Sequence, residues 1–172
     1  MKNILVLMAL LAIAMPAAAG DHPAATESSW FDMENCAMCK NLSVDPGLLP
    51  HTTWENFSIE GGMMNVVTVD PAFAESMATA NAAMEDLGAK MQSGQVNPME
   101  LKFCGHCMEF GQIMMAGVEM QNFKGQAAEV SLFTSDDPAL VKRMHALVDR
   151  DNKEMAMMMD GDHDHSEHPH DH

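Results

Sequence analysis

The chain carries the same succession of hydrophobic patterns twice. Thr52 to Ile59 reads as a strand, with Trp54 and Phe57 as its large apolar residues. Gly61-Gly62 is a turn signal, and the β-branched run Met63 to Val69 reads as the partner strand. A long helix follows. Asp70 is a good N-cap and Pro71 suits the first helical position, where a missing N–H costs nothing. Phe73, Met77, Ala80, Met84, Leu87 and Met91 then recur at spacings of three and four, one apolar face, before Ser93-Gly94 ends the pattern.

The second passage has the same order. Met108 to Gly117 predicts a helix with Phe110, Ile113 and Met114 on one side. Val118 to Phe123 and Glu129 to Ser135 predict two strands round Lys124-Gly125-Gln126. Asp137-Pro138 opens a second long helix with Leu140, Met144, Leu147 and Val148 facing inward. In the first passage a short helix is expected near Trp30-Phe31, and Asp45-Pro46-Gly47 is a strong turn. The offsets agree: Asn56-Phe57 recurs as Asn122-Phe123 at 66, and Asp70-Pro71 as Asp137-Pro138 at 67.

A lone hairpin is marginal in water, so two such units should combine. The expected fold is α+β and internally duplicated, each unit a helix–β-hairpin–helix. One four-stranded antiparallel sheet would be covered by helices about a pseudo-two-fold axis. The pattern leaves the strand order open. Residues 30–94 form the first repeat and 95–159 the second, both in one domain. Residues 20–29 read as a mobile leader.

The ends are of a different character. Residues 1–19 have the form of a secretory signal: Lys2, an apolar stretch from Ile4 to Met15, Pro16, then Ala17-Ala18-Ala19 as a cleavage site. The apolar stretch is too short to span a bilayer comfortably. An exported product is expected, in the periplasm or secreted, with no membrane span once the signal is cleaved. Residues 160–172 lack apolar content and read as a disordered tail. The formal charge is −16, which disfavours nucleic acid as a partner and weakly favours cations.

The chemistry lies in two CxxC pairs, Cys36-Ala37-Met38-Cys39 and Cys104-Gly105-His106-Cys107, which use all 4 cysteines and stand at an offset of 68. Two residues between cysteines bring both sulfurs to one point, and a helix N-terminus beside them favours the thiolate. Two pairs meeting on the pseudo-two-fold axis would make a tetrahedral four-sulfur site. Such a site suits Zn2+, or Cu+ as the alternative. The same spacing also permits two local disulfides in an interaction domain, or dithiols that cycle with a redox partner. The second tetrapeptide resembles the active-site motif of the protein disulfide isomerases. The resemblance spans those four residues alone, with Phe103 before them and no βαβ pattern around them. It implies thiol–disulfide exchange through Cys104 and Cys107.

Further metal ligands are suggested by residue type. His163, His165, His168, His170 and His172 alternate with acids in the tail, a composition that collects Zn, Ni or Cu(II). Methionine is over-used, at 20 residues, and mostly reads as adaptable core filling. Met38, inside the first pair, is the thioether best placed as a soft ligand, and His106 is a candidate extra ligand. His51 and His145 read as isolated polar groups. The sequence contains no G-x-S-x-G, P-loop, G-x-G-x-x-G or H-E-x-x-H, and so points away from an enzyme of those classes. Expected partners are metal ions, with a second copy or a metal-handling protein as the protein partner.

Overall fold

The computed structural model describes residues 29–125 and 128–160. The expected signal peptide, most of the leader and the histidines of the tail lie outside them. No helix among the described residues is long and apolar enough to cross a membrane.

The two hairpins form as the pattern predicts. Strand β1 is Thr52–Ile59 and β2 is Gly62–Val69; β3 is Glu119–Lys124 and β4 is Ala128–Thr134. Gly61 makes the first turn possible, because its φ of 79° is a left-handed conformation that side chains disfavour. The four strands form one antiparallel sheet in the order β1-β2-β4-β3. Each hairpin therefore contributes one central and one edge strand. In the two hairpins Asn56 faces Asn65 and Asn122 faces Ser131, and between the central strands Asn65 faces Ser131. At the end of β2 the strands approach closely: a Cβ on Gly62 would lie 1.8 Å from the Phe133 carbonyl oxygen.

Three helices accompany the sheet: α1 (Ala74–Gln92), α2 (Gly105–Met115) and α3 (Pro138–Asp160). Asp70 caps as expected, accepting the Ala72 N–H at 2.9 Å. Its first turn is a 3-10 turn, Pro71–Phe73, that leads into α1. Side chains alternate across each strand, so one sheet face holds Trp54, Met63, Val67, Val69 and Phe133. Met63 and Phe133 join Ile113 of α2 and Leu140, Met144, Leu147 and Val148 of α3 in the main core. Trp54, Val67 and Val69 pack against Leu48, Met77 and Ala80 in a second cluster under α1. Both long helices thus cover one face. On the other face Phe57 and Phe123 remain 41% and 52% exposed, and the core clusters among the described residues include neither.

The units differ where the pattern predicted likeness. A five-residue 3-10 helix, Cys39–Ser43, follows the first cysteine pair, whereas the eleven-residue α2 follows the second. The Asp45-Pro46-Gly47 turn, fixed by Asp45 Oδ1 accepting the Gly47 N–H, stops the first from lengthening. The start around Trp30-Phe31 is a run of bends and turns in place of a short helix. Of the six positions on the expected α1 face, only Met77 and Ala80 are buried. α3 is the better-anchored helix. His145 donates from Nε2 to the carbonyls of Ile59 and Gly62 at 3.1 and 3.0 Å, and Asn152 donates to the Asn56 carbonyl at 3.1 Å.

Two glycine substitutions test this packing in opposite directions. Gly62→Ala should cost about 2–3 kcal/mol, because backbone must move to admit the methyl group. Gly88→Ala, where nothing lies within 4 Å, should gain about 0.5–1 kcal/mol from helix entropy alone. Denaturant titration followed by circular dichroism measures both.

Candidate metal centre

The segment before the first cysteine pair lies along the segment that leads into the second. Gly105 and His106 donate their N–H groups to the carbonyls of Ser29 and Trp30 at 3.3 and 3.0 Å, and Ala37 donates to the Lys102 carbonyl at 2.8 Å. Lys102 Nζ lies 3.2 Å from Asp32 Oδ2 over the same seam. The approach explains the glycine of the second tetrapeptide: a Cβ on Gly105 would sit 2.7 Å from the Trp30 ring. These contacts align the two cysteine loops side by side.

Each loop is closed locally. Lys40 N–H bonds the Cys36 carbonyl at 3.1 Å, and Asn41 Nδ2 bonds the carbonyls of Ala37 and Met38 at 3.2 and 2.8 Å. Cys104 is the N-cap of α2, its sulfur accepting the Cys107 N–H at 3.5 Å. Both turns leave their sulfurs pointing to one place. Cys39 Sγ is 3.6 Å from Cys104 Sγ and 3.4 Å from Cys107 Sγ, and all four sulfurs lie within 4.8 Å of one another. A disulfide would need about 2.05 Å, and all four cysteines are free. Zinc–sulfur bonds of about 2.3 Å in a tetrahedron set the sulfurs about 3.8 Å apart. The observed spacings are close to that value, so the donor set fits a metal ion with little movement.

Cys36 and Cys104 are 0% and 1% exposed and Cys39 is 6% exposed, while Cys107 is half-buried and forms the edge of the site. Met33, Met38 and Phe103 pack round the sulfurs. In this apolar wrap four thiols cannot ionise independently. Cys36 is pulled down by hydrogen bonds from Cys104, Cys107 and Cys39, aided by the Cys39 N–H. Cys104 is pulled down to about 6, chiefly by Cys107. The same bonds push Cys39 and Cys107 up, with Cys104 the largest cause for each. When no metal is bound, Cys36 and Cys104 thus give up their protons more readily than Cys39 and Cys107. A divalent ion would displace the remaining protons.

The four cysteines predicted as ligands are the ones brought together. Met38 packs beside them. Among the described residues the clustered metal-capable groups are the four cysteines, and His106 is not grouped with them. Its Nδ1 lies 2.9 Å from Asp151 Oδ1, and its ring stacks on Phe110. His163, His165, His168, His170 and His172 lie outside the described residues. Sequence reasoning missed Asp151, which is 4% exposed and accepts from both His106 and the Trp30 indole. A signal was present. Met144, Leu147, Val148 and Asp151 follow one helical stripe, so an acid occupies a core position. Met33, three residues before Cys36, was missed without such a signal.

Compared with protein-family models, with curated proteins and with solved structures, the chain matches none.

Thiolate absorbance checks the electrostatics. In metal-free, reduced protein one deprotonation, that of Cys104, should fall near pH 6, well below an ordinary thiol. Cys104→Ser should remove that step. Because the Cys104 pKa is lowered by folding, its contribution to stability is present above the unfolded value of about 9 and is lost as pH falls through about 6.

Proposed function

We propose that this is an exported metal-binding protein that holds one ion in a shared centre of Cys36, Cys39, Cys104 and Cys107. Zinc is the first choice and Cu(I) the second. The observation that carries the reading is the convergence of four sulfurs from two distant loops within 4.8 Å. Zinc is preferred because four thiolates and no open position are the form of a closed zinc site. Cu(I) stays next because the thioethers of Met33 and Met38 border the same sulfurs. The histidine tail would act as a capture arm, raising the local metal concentration before transfer to the cysteines. A thiolate-bearing partner that loads or unloads the ion would enter at Cys107, the least buried of the four cysteines.

The internal duplication belongs to the same proposal. Its support is the register. Asn65 and Ser131, equivalent at an offset of 66, face each other, as they must if a two-fold axis passes between them. Sulfur pairs related by such an axis would meet only if they lay beside it, and one ion there would close both halves.

A thiol–disulfide exchange role is less well supported. Exchange requires a partner's disulfide to reach the attacking sulfur in line. Cys104, which has the lowered pKa, is 1% exposed. A low pKa on a sealed sulfur suits a metal ligand better than a nucleophile.

Metal analysis with thiol titration tests the proposal, using mature protein made with and without residues 160–172. The expected result is one ion per chain in both forms and four thiols that react only after chelation. Serine at any of the four cysteines should weaken binding by at least about 100-fold. No metal, with all four thiols lost to disulfides, would overturn it.

A further inference from the structure

We propose that Asp151 is a positioning residue for the metal centre, acting through His106 and Trp30; the inference rests on the four-cysteine reading above. Asp151 is the buried acid of the core and sits on α3. A single oxygen, Oδ1, accepts from Trp30 Nε1 at 2.8 Å and from His106 Nδ1 at 2.9 Å. Those donors belong to the two segments that carry the sulfurs. Trp30 lies six residues before Cys36, and its carbonyl already accepts the His106 N–H. His106 lies between Cys104 and Cys107 within the second loop.

One oxygen atom therefore staples three segments together. α3 is the rigid reference. It is fixed to the sheet by His145 and Asn152 and to the core by Met144 and Leu147. The aromatic rings hold the staple's shape: His106 stacks on Phe110 at 5.9 Å and meets Phe31 at 5.2 Å, and the Arg150 guanidinium covers Trp30 at 4.8 Å. Rotation of α2 about its axis would swing His106 and Cys107 together, since they are adjacent on its first turn. Holding the imidazole thus holds the direction of Cys107, the least buried ligand. Partners of this kind outside the ligand shell alter metal affinity by about 10- to 100-fold.

The geometry makes a sharp distinction between variants. Asp151→Asn keeps a carbonyl oxygen where Oδ1 lies and can still accept both bonds. Asp151→Leu keeps the branched outline with bulkier ends and loses both. Ala80→Gly, buried on α1 in the second cluster, lowers stability without touching the staple or the core that anchors α3. The measurement is zinc release from the loaded full chain to a chromogenic chelator, at a temperature where every variant remains folded.

Release from Asp151→Leu should be about 10- to 100-fold faster than wild type. Asp151→Asn should stay within about threefold, and Ala80→Gly should match wild type. If Asp151→Leu does not fold, His106→Phe removes one arm of the staple at a partly exposed site and should speed release about 10-fold. The proposal is overturned if the Leu variant releases zinc at the wild-type rate. It is also overturned if Asn is as fast as Leu, or if Ala80→Gly is equally fast. In those cases the wild-type protein still binds one ion, and the four-cysteine reading survives. Wild-type protein that binds no zinc sinks both.

Discussion

The structure depends on one seam, where residues 29–37 lie against residues 102–106. Three main-chain hydrogen bonds cross it, from Gly105, His106 and Ala37. Without it the two cysteine loops would be separate two-sulfur turns. With it, four sulfurs converge on one point from loops 64 residues apart in sequence. The seam also sets local sequence requirements. Gly105 must be small because Trp30 lies against it, and Cys104 must cap α2 for its sulfur to turn inward.

The remainder of the fold gives the seam a fixed frame. Two hairpins join through their central strands into one sheet, and α3 crosses it, bonded to both ends of the first hairpin turn through His145. The main core lies between this sheet face and α2 and α3. Because α2 begins at Cys104, core packing and sulfur placement are parts of one rigid arrangement. The cysteine cluster is a separate, smaller apolar group with no aliphatic core of its own. A group so small gains little from burial alone. A bound ion would supply the cohesion that hydrophobic contact does not, which is the physical sense of placing the metal there.

Local signals in the sequence were strong and proved readable. The hairpins fall within a residue or so of the expected bounds, as at Thr52–Ile59, because β-branched runs ended by Gly61-Gly62 leave little choice. Asp70-Pro71 and Asp137-Pro138 open the long helices through short-range hydrogen bonds. The four cysteines that converge were visible from their spacing. What escaped was long-range. The strand order depends on how β2 meets β4, which no local pattern encodes. The partners of Asp151 are 121 and 45 residues away. The 3-10 helix after Cys39 broke the expected likeness of the two units because a turn three residues beyond Leu42 overrode it. His106 was a candidate ligand by type, and nothing near it in sequence pointed to the carboxylate that its Nδ1 meets.

The claim at the centre is that one metal ion is bound by both cysteine pairs together. X-ray absorption at the metal edge, on zinc-loaded protein lacking residues 160–172, tests it most directly. The account predicts a single shell of four sulfurs at about 2.3 Å with no nitrogen or oxygen neighbour. A shell of two sulfurs completed by nitrogen or oxygen would contradict it, because each pair would then be acting alone.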